Sequence, residues 1–238
     1  MKQYKSEHYI FNYHSESKAE KDIKSIATIQ EACYKYICDI LGVTLDFKIQ
    51  YFLCNSPEEV GRMYGDNEPC NGFASIPDKI YAVYNEEIQC IGFHEDVHII
   101  SYTINKPDSP AIREGLAMYF DRKWWGIHNI DWTAYYIKTD RYISINELLN
   151  KDKFFLEDCS ITYPIMGSFT EWLINSYGIK KYLSMYKQRD MNIAINNIYK
   201  MTVLEMEQSF KDYILLFKVD KSIENRMFEL LSEYENKI

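Results

Sequence analysis

The chain has 238 residues, 47% of them hydrophobic and 16% aromatic, which is enough to bury a sizeable core and is most simply one domain built as two lobes. A formal net charge of -8, with no Lys/Arg cluster interleaved with aromatics, argues against a nucleic-acid partner, because neutralising phosphates takes a basic surface. No segment approaches the length of a membrane span, and the start Met1-Lys2-Gln3-Tyr4-Lys5-Ser6-Glu7-His8 lacks the apolar run of a signal peptide. No membrane partner is expected, and the cytoplasm is the expected compartment; secretion of a chain already trimmed of its signal stays open. Cys33, Cys38, Cys54, Cys70, Cys90 and Cys159 are scattered without a Cys-x-x-Cys pair and read as reduced, mostly core residues.

His8 to Tyr13 alternates and is rich in β-branched and aromatic residues, which predicts a strand. Ser17-Lys18-Ala19-Glu20 is a capping box, and Ala19, Ile23, Ile26, Cys33, Ile37 and Ile40 then follow helical spacing until Gly42. Phe47 to Cys54 reads as a second strand, and Ser56-Pro57-Glu58-Glu59 starts a short helix that stops at Gly65. Asn71 to Ile76, a Pro77-Asp78 turn and Lys79 to Tyr84 make a hairpin.

That hairpin leads into Gly92-Phe93-His94-Glu95-Asp96-Val97-His98-Ile99-Ile100, which contains His-Glu-x-x-His. On a helix the two imidazoles lie one turn apart on one face, roughly 40° from each other, with Glu95 about 100° round from His94. Two imidazoles so placed can grip one metal ion, and the carboxylate between them is positioned to take a proton from a water that the metal has acidified. Cys90, Phe93, Val97, Ile100 and Ile104 recur at helical spacing and are expected to form a packed stripe beside the histidine face. A third ligand is available in the next segment, Ser109 to Phe120, where Ser109 reads as the N-cap and Pro110 as the first helical residue. The loop from Ser101 to Asp108 is long enough to reverse direction. Glu114 is thereby expected to reach His94 and His98, with Gly115 letting the two backbones approach.

Past Asp121 the chain is expected to be mostly helical. Trp124, Trp125 and His128 form an aromatic segment, Ser144 to Leu149 a short turn, and Thr162 to Gly178 a helix with Pro near its start and Gly at its end. Ile198 to Glu207 carries a Thr202/Glu205 capping box, and a last helix is expected from about Ser222 to Tyr234.

His-Glu-x-x-His followed, after fifteen intervening residues, by Glu114-Gly115-Leu116-Ala117 resembles the gluzincin metallopeptidases, and within them the small peptidase-MA-like domains related to the thermolysin and membrane-alanyl-aminopeptidase groups. The resemblance spans roughly residues 5 to 215, and only its metal motifs are specific. It implies one Zn2+ held by His94, His98 and Glu114, with Glu95 as catalytic base and a peptide or protein as substrate. It also implies an α+β fold with a thermolysin-like core: a small N-terminal mixed sheet with helices, a metal-binding helix pair and a mostly helical C-terminal part. The lobes would divide at about residues 5–104 and 105–238 of a single 1–238 domain.

In gluzincins the strand before the metal helix borders the cleft and pairs with extended substrate, which the resemblance carries to Gly72, Phe73, Ala74 and Ser75; an ordinary packed hairpin is the rival reading. Tyr163 is the candidate donor to the oxyanion, against a tyrosine that only caps the core, and Asp121 is a candidate to orient a ligand imidazole. Aminopeptidase relatives bind the substrate amine with a strand glutamate that Gly72-Phe73-Ala74-Ser75-Ile76 lacks, so cleavage inside a peptide is expected over removal of its first residue. Two other classes stay open: a catalytically silent gluzincin-like binding or regulatory module, and a structural helical protein in which the motif is accidental. Oligomeric state is unassigned.

Overall fold

The computed structural model describes residues 1–236, and the chain divides into two units, one spanning Met1–Ile104 and one beginning at Asn105. The architecture is α+β, with a mixed sheet in the first unit and mostly helix in the second.

The first unit is built on strands β1 (Lys2–Lys5), β2 (Tyr9–Tyr13), β3 (Ile49–Cys54), β4 (Gly72–Ser75) and β5 (Lys79–Val83), in the spatial order β1-β2-β3-β5-β4. β2, β3 and β5 run parallel, whereas β1 and β4 pair antiparallel at the two edges. β1 was not predicted, because its polar, exposed residues carry no apolar alternation; its backbone pairing with β2 supplies what its side chains do not. Helix α1 (Lys18–Leu41) connects β2 to β3, and α2 (Pro57–Tyr64) connects β3 to β4. Both begin and end where the sequence says. Ser17 and Ser56 accept the N-terminal amides of Glu20 and Glu59, and Gly42 and Gly65 close the helices in left-handed conformation.

The pleat sorts the aromatics onto two faces. Tyr9, Phe11, Tyr51 and Ile80 are buried on one face, with the Phe11 and Tyr51 rings 5.7 Å apart. On the other, Phe52, Tyr81 and Phe73 stack in a row across β3, β5 and β4 and meet Val60 of α2. After β5, an isolated bridge between Tyr84 and Gln89 and a bond from the Cys90 amide to Val83 carry the chain to α3 (His94–Ser101).

The second unit contains α4 (Pro110–Asp121), a hairpin of β6 (Lys123–Trp124) and β7 (Ile127–His128), α5 (Asn129–Lys138), α6 (Ile145–Leu148), a 3-10 turn (Phe154–Leu156), α7 (Cys159–Tyr177), α8 (Ile179–Tyr186), α9 (Met191–Tyr199), α10 (Val203–Ile214) and α11 (Lys221–Glu235). Helix α7 is its axis, buried along most of its length from Ser160 to Ile174 and packed against α4, α5, α8 and α10. Its start corrects the sequence reading. The N-cap is Asp158, whose side chain accepts from Ser160, so Pro164 lies inside the helix. Proline has no amide to bond the carbonyl four residues back, and that carbonyl, of Ser160, accepts from the Tyr136 hydroxyl of α5 instead (2.7 Å).

The role of Gly115 is also different from expectation. A Cβ there would lie 2.7 Å from Thr170 Oγ1 and 2.9 Å from the Met166 carbonyl, so this glycine lets α4 close on α7. Gly167 answers from α7, where a Cβ would sit 2.8 Å from Met118 Cβ of α4 and 2.5 Å from Asn129 Nδ2. Thr202 and Glu205 do form the reciprocal capping box, at the head of α10; Ile198 and Tyr199 belong to α9. Among the described residues no helix is long and apolar enough to cross a membrane.

Candidate metal centre

Helix α3 is shorter than the apolar spacing predicts. Gly92 has φ 128°, a conformation that only glycine adopts readily, and it holds Cys90 outside the helix while Phe93 serves as the N-cap. Ile104 falls beyond the last turn, so the packed stripe reduces to Val97 and Ile100, joined by Ile99.

The entry to α3 is fixed from α1. The carboxamide of Gln30, fully buried, accepts the Gly92 amide at 2.8 Å and donates to the Gly92 carbonyl at 3.0 Å. The same Nε2 donates to Asp96 Oδ2 at 3.0 Å, and the Tyr9 hydroxyl of β2 donates to that oxygen too. At about 100° per residue Asp96 points roughly 200° away from His94, to the side of α3 opposite the imidazoles. Burial drives the Asp96 carboxyl well above the usual carboxylate range and the Glu95 charge adds to the effect; the hydrogen bonds from Tyr9 and Gln30 oppose it. The sequence reading missed Gln30, Tyr9 and Asp96. The available signal was an acid between the two histidines with buried neighbours on its own face.

On the opposite side the motif residues gather. His94 and His98 meet edge to face with ring centroids 5.1 Å apart. One ligand atom from each of His94, His98 and Glu114 can be chosen so that all lie within 4.8 Å of one another. His98 and Glu114 are buried and His94 is partly buried. The Tyr102 hydroxyl lies 3.3 Å from His98 Nδ1; orientation of a ligating imidazole through its second nitrogen is a common arrangement. Tyr102 was not predicted, although it follows His98 by one helical turn.

β4 lies at a sheet edge, and its first residue is next to the motif carboxylate. A Cβ on Gly72 would lie 3.2 Å from Glu95 Oε1 and 3.2 Å from Cys90 Sγ. Phe73 turns to the α2 side, stacked on Tyr81 at 5.0 Å and edge-on to Tyr64 at 4.2 Å, while Ala74 and Ser75 are partly exposed.

Tyr163 does not open α7 as predicted but sits in its second turn, with its ring between Trp124 (5.7 Å) and Phe154 (6.0 Å), lining a cavity of about 450 Å3 with Thr162 and Tyr234. Trp125 packs on Trp132 and Tyr234, and His128 caps α5 through Nδ1. His128 Nε2 is 3.7 Å from Glu171, whose other oxygen pairs with Arg122 at 3.0 Å. Asp121, partly buried, is the last residue of α4.

The donor set suits zinc: two imidazoles and a carboxylate are the protein ligands of a catalytic site that keeps a position open. No protein-family model matches the chain, and no curated protein shows a significant match to it.

Proposed function

We propose that the chain is a zinc-dependent metallopeptidase of the gluzincin type, with His94, His98 and Glu114 as ligands and Glu95 as the base. The observation that carries this reading is the gathering of ligand atoms from those three side chains within 4.8 Å, with Glu95 on the adjoining face of α3. Zinc, when bound, acts as a Lewis acid that polarises a carbonyl and lowers the pKa of water. Glu95 then takes the proton of the attacking water and delivers it to the leaving amine. The edge strand β4 offers backbone groups to an extended peptide beside Glu95, and the absence of a Cβ at Gly72 keeps that approach open. Phe73, Ala74 and Ser75 bring no acid to bind a free amine, which favours cleavage within a peptide. Tyr163 is retained as the proposed oxyanion donor. The scattered cysteines, with no Cys-x-x-Cys pair, favour a reducing compartment, and the cytoplasm is the proposed location.

The test is zinc content together with peptide-library cleavage for the native chain and for Glu95→Gln. The expected result is one zinc at this centre in both, with turnover reduced by about 10^2- to 10^4-fold in the variant. Unchanged hydrolysis would remove Glu95 as the base, and bound zinc without turnover in the native chain would leave a silent binding module.

A further inference from the structure

We propose that Glu7, His8 and Glu31 form a second divalent-cation site, separate from the His94 centre and contained within the first unit. Ligand atoms from these three side chains also lie within 4.8 Å of one another. They come from two elements far apart in sequence. Glu7 and His8 lie in the turn between β1 and β2, and Glu31 projects from the middle of α1.

Two of the three are already oriented. The His8 ring stacks on Tyr34 with centroids 3.9 Å apart and planes inclined by 18°, which fixes the direction of Nδ1. Glu31 spends one oxygen on the Ser6 hydroxyl and the His8 amide and presents the other to Nδ1 at 2.6 Å. Ligand atoms sharing a tetrahedral zinc at about 2.0–2.2 Å are roughly 3.3 Å apart, so seating a cation asks for an opening of under about 1 Å between His8 and Glu31. Glu7, exposed and on a turn, can swing in as the third ligand. The cavity beside them, about 620 Å3, is also lined by Asp39, a further acid, and by Lys35. Solvent has access through it to the remaining coordination positions. One imidazole nitrogen with carboxylate oxygens selects a borderline divalent ion such as Zn2+ over hard ions that prefer all-oxygen cages.

The site is placed to matter for the fold. A cation there ties the β1–β2 turn to α1 at the residue next to Gln30, which holds Gly92 and Asp96. It does not depend on the peptidase reading, since none of its residues belongs to that centre.

The experiment is zinc titration of the full chain by calorimetry and equilibrium dialysis, with Glu31→Gln, His8→Phe and His98→Ala alongside. Glu31→Gln keeps an acceptor for Ser6 and the His8 amide, and His8→Phe keeps an aromatic ring on Tyr34, so the metal-free thermal midpoints of both should stay near the native value. The native chain is expected to take up two equivalents, and Glu31→Gln, His8→Phe and His98→Ala one each. Two equivalents in Glu31→Gln and His8→Phe, or a native stoichiometry of one that His98→Ala abolishes, would overturn the second site. The second of these results would leave the His94 centre intact.

Discussion

Gln30 shows how a residue without chemistry of its own sets the geometry of those that have it. Its single carboxamide satisfies both backbone groups of Gly92 and one oxygen of Asp96, so the first turn of α3 is held at three points by a side chain sixty-two positions earlier. Replacing Gln30 with Leu strands these buried groups, and a loss of about 2–4 kcal/mol is expected by urea denaturation; a change under about 0.5 kcal/mol would show that α3 does not depend on it. Glu114→Ala is a residue-scale test of another kind, as it removes a proposed ligand and leaves Gly115 in place. Zinc affinity at the His94 centre is expected to fall by at least about 10^2-fold, read by competition with a chromophoric chelator. His94, Glu95 and His98 were legible because an i, i+4 spacing fixes a face of a helix. Gln30 and Tyr9 were not, since nothing local distinguishes a glutamine on α1 that meets α3 from one that meets water.

Among elements, the contact between α4 and α7 is the most sharply constrained. Gly115 and Gly167 each stand where a methyl group would meet the other helix. Gly115→Ala is therefore expected to cost about 1–3 kcal/mol in stability, more than the helix-propensity gain of alanine returns; an unchanged or raised melting midpoint would show that the helices can part freely. Tyr136→Phe is a milder test of the same packing. It leaves the Ser160 carbonyl without its donor at the proline and should destabilise by about 1–2 kcal/mol. The capping box of α10 has a pH signature. Hydrogen bonds from the Thr202 amide and hydroxyl hold the Glu205 carboxyl below its ordinary value. Its contribution is thus present above the unfolded carboxylate pKa and is lost as pH falls through the lower folded one. Glu205→Gln should flatten that part of the acid limb of the stability profile, and an identical limb in the variant would rule the contribution out.

At the scale of the whole chain, a ligand that binds only the folded state raises its stability by mass action. Chelation is accordingly expected to lower the thermal midpoint and excess Zn2+ to restore it, by about 4 kcal/mol when free zinc is a thousand times the dissociation constant. A midpoint indifferent to chelator would count against a tightly held ion. The net charge of -8 predicts in addition that the chain will not be retained on nucleic acid at any salt concentration.

Local sequence suffices for the elements whose ends are chemically marked: α1 between Ser17 and Gly42, α2 between Ser56 and Gly65, the β4–β5 hairpin, the cap of α10, and the pairing of His94 with His98 on one face. These follow from hydrogen bonds and periodicities that act within a few residues, so the local order of side chains is sufficient. Long-range packing is what brings β1 into the sheet, starts α7 at Asp158 with its proline enclosed, sets Gly115 against α7, and gathers ligand atoms of Glu114, His94 and His98 within 4.8 Å. In each case the deciding partner is remote in sequence. A pattern of apolar spacing says which face of an element will be covered, and packing alone says by what.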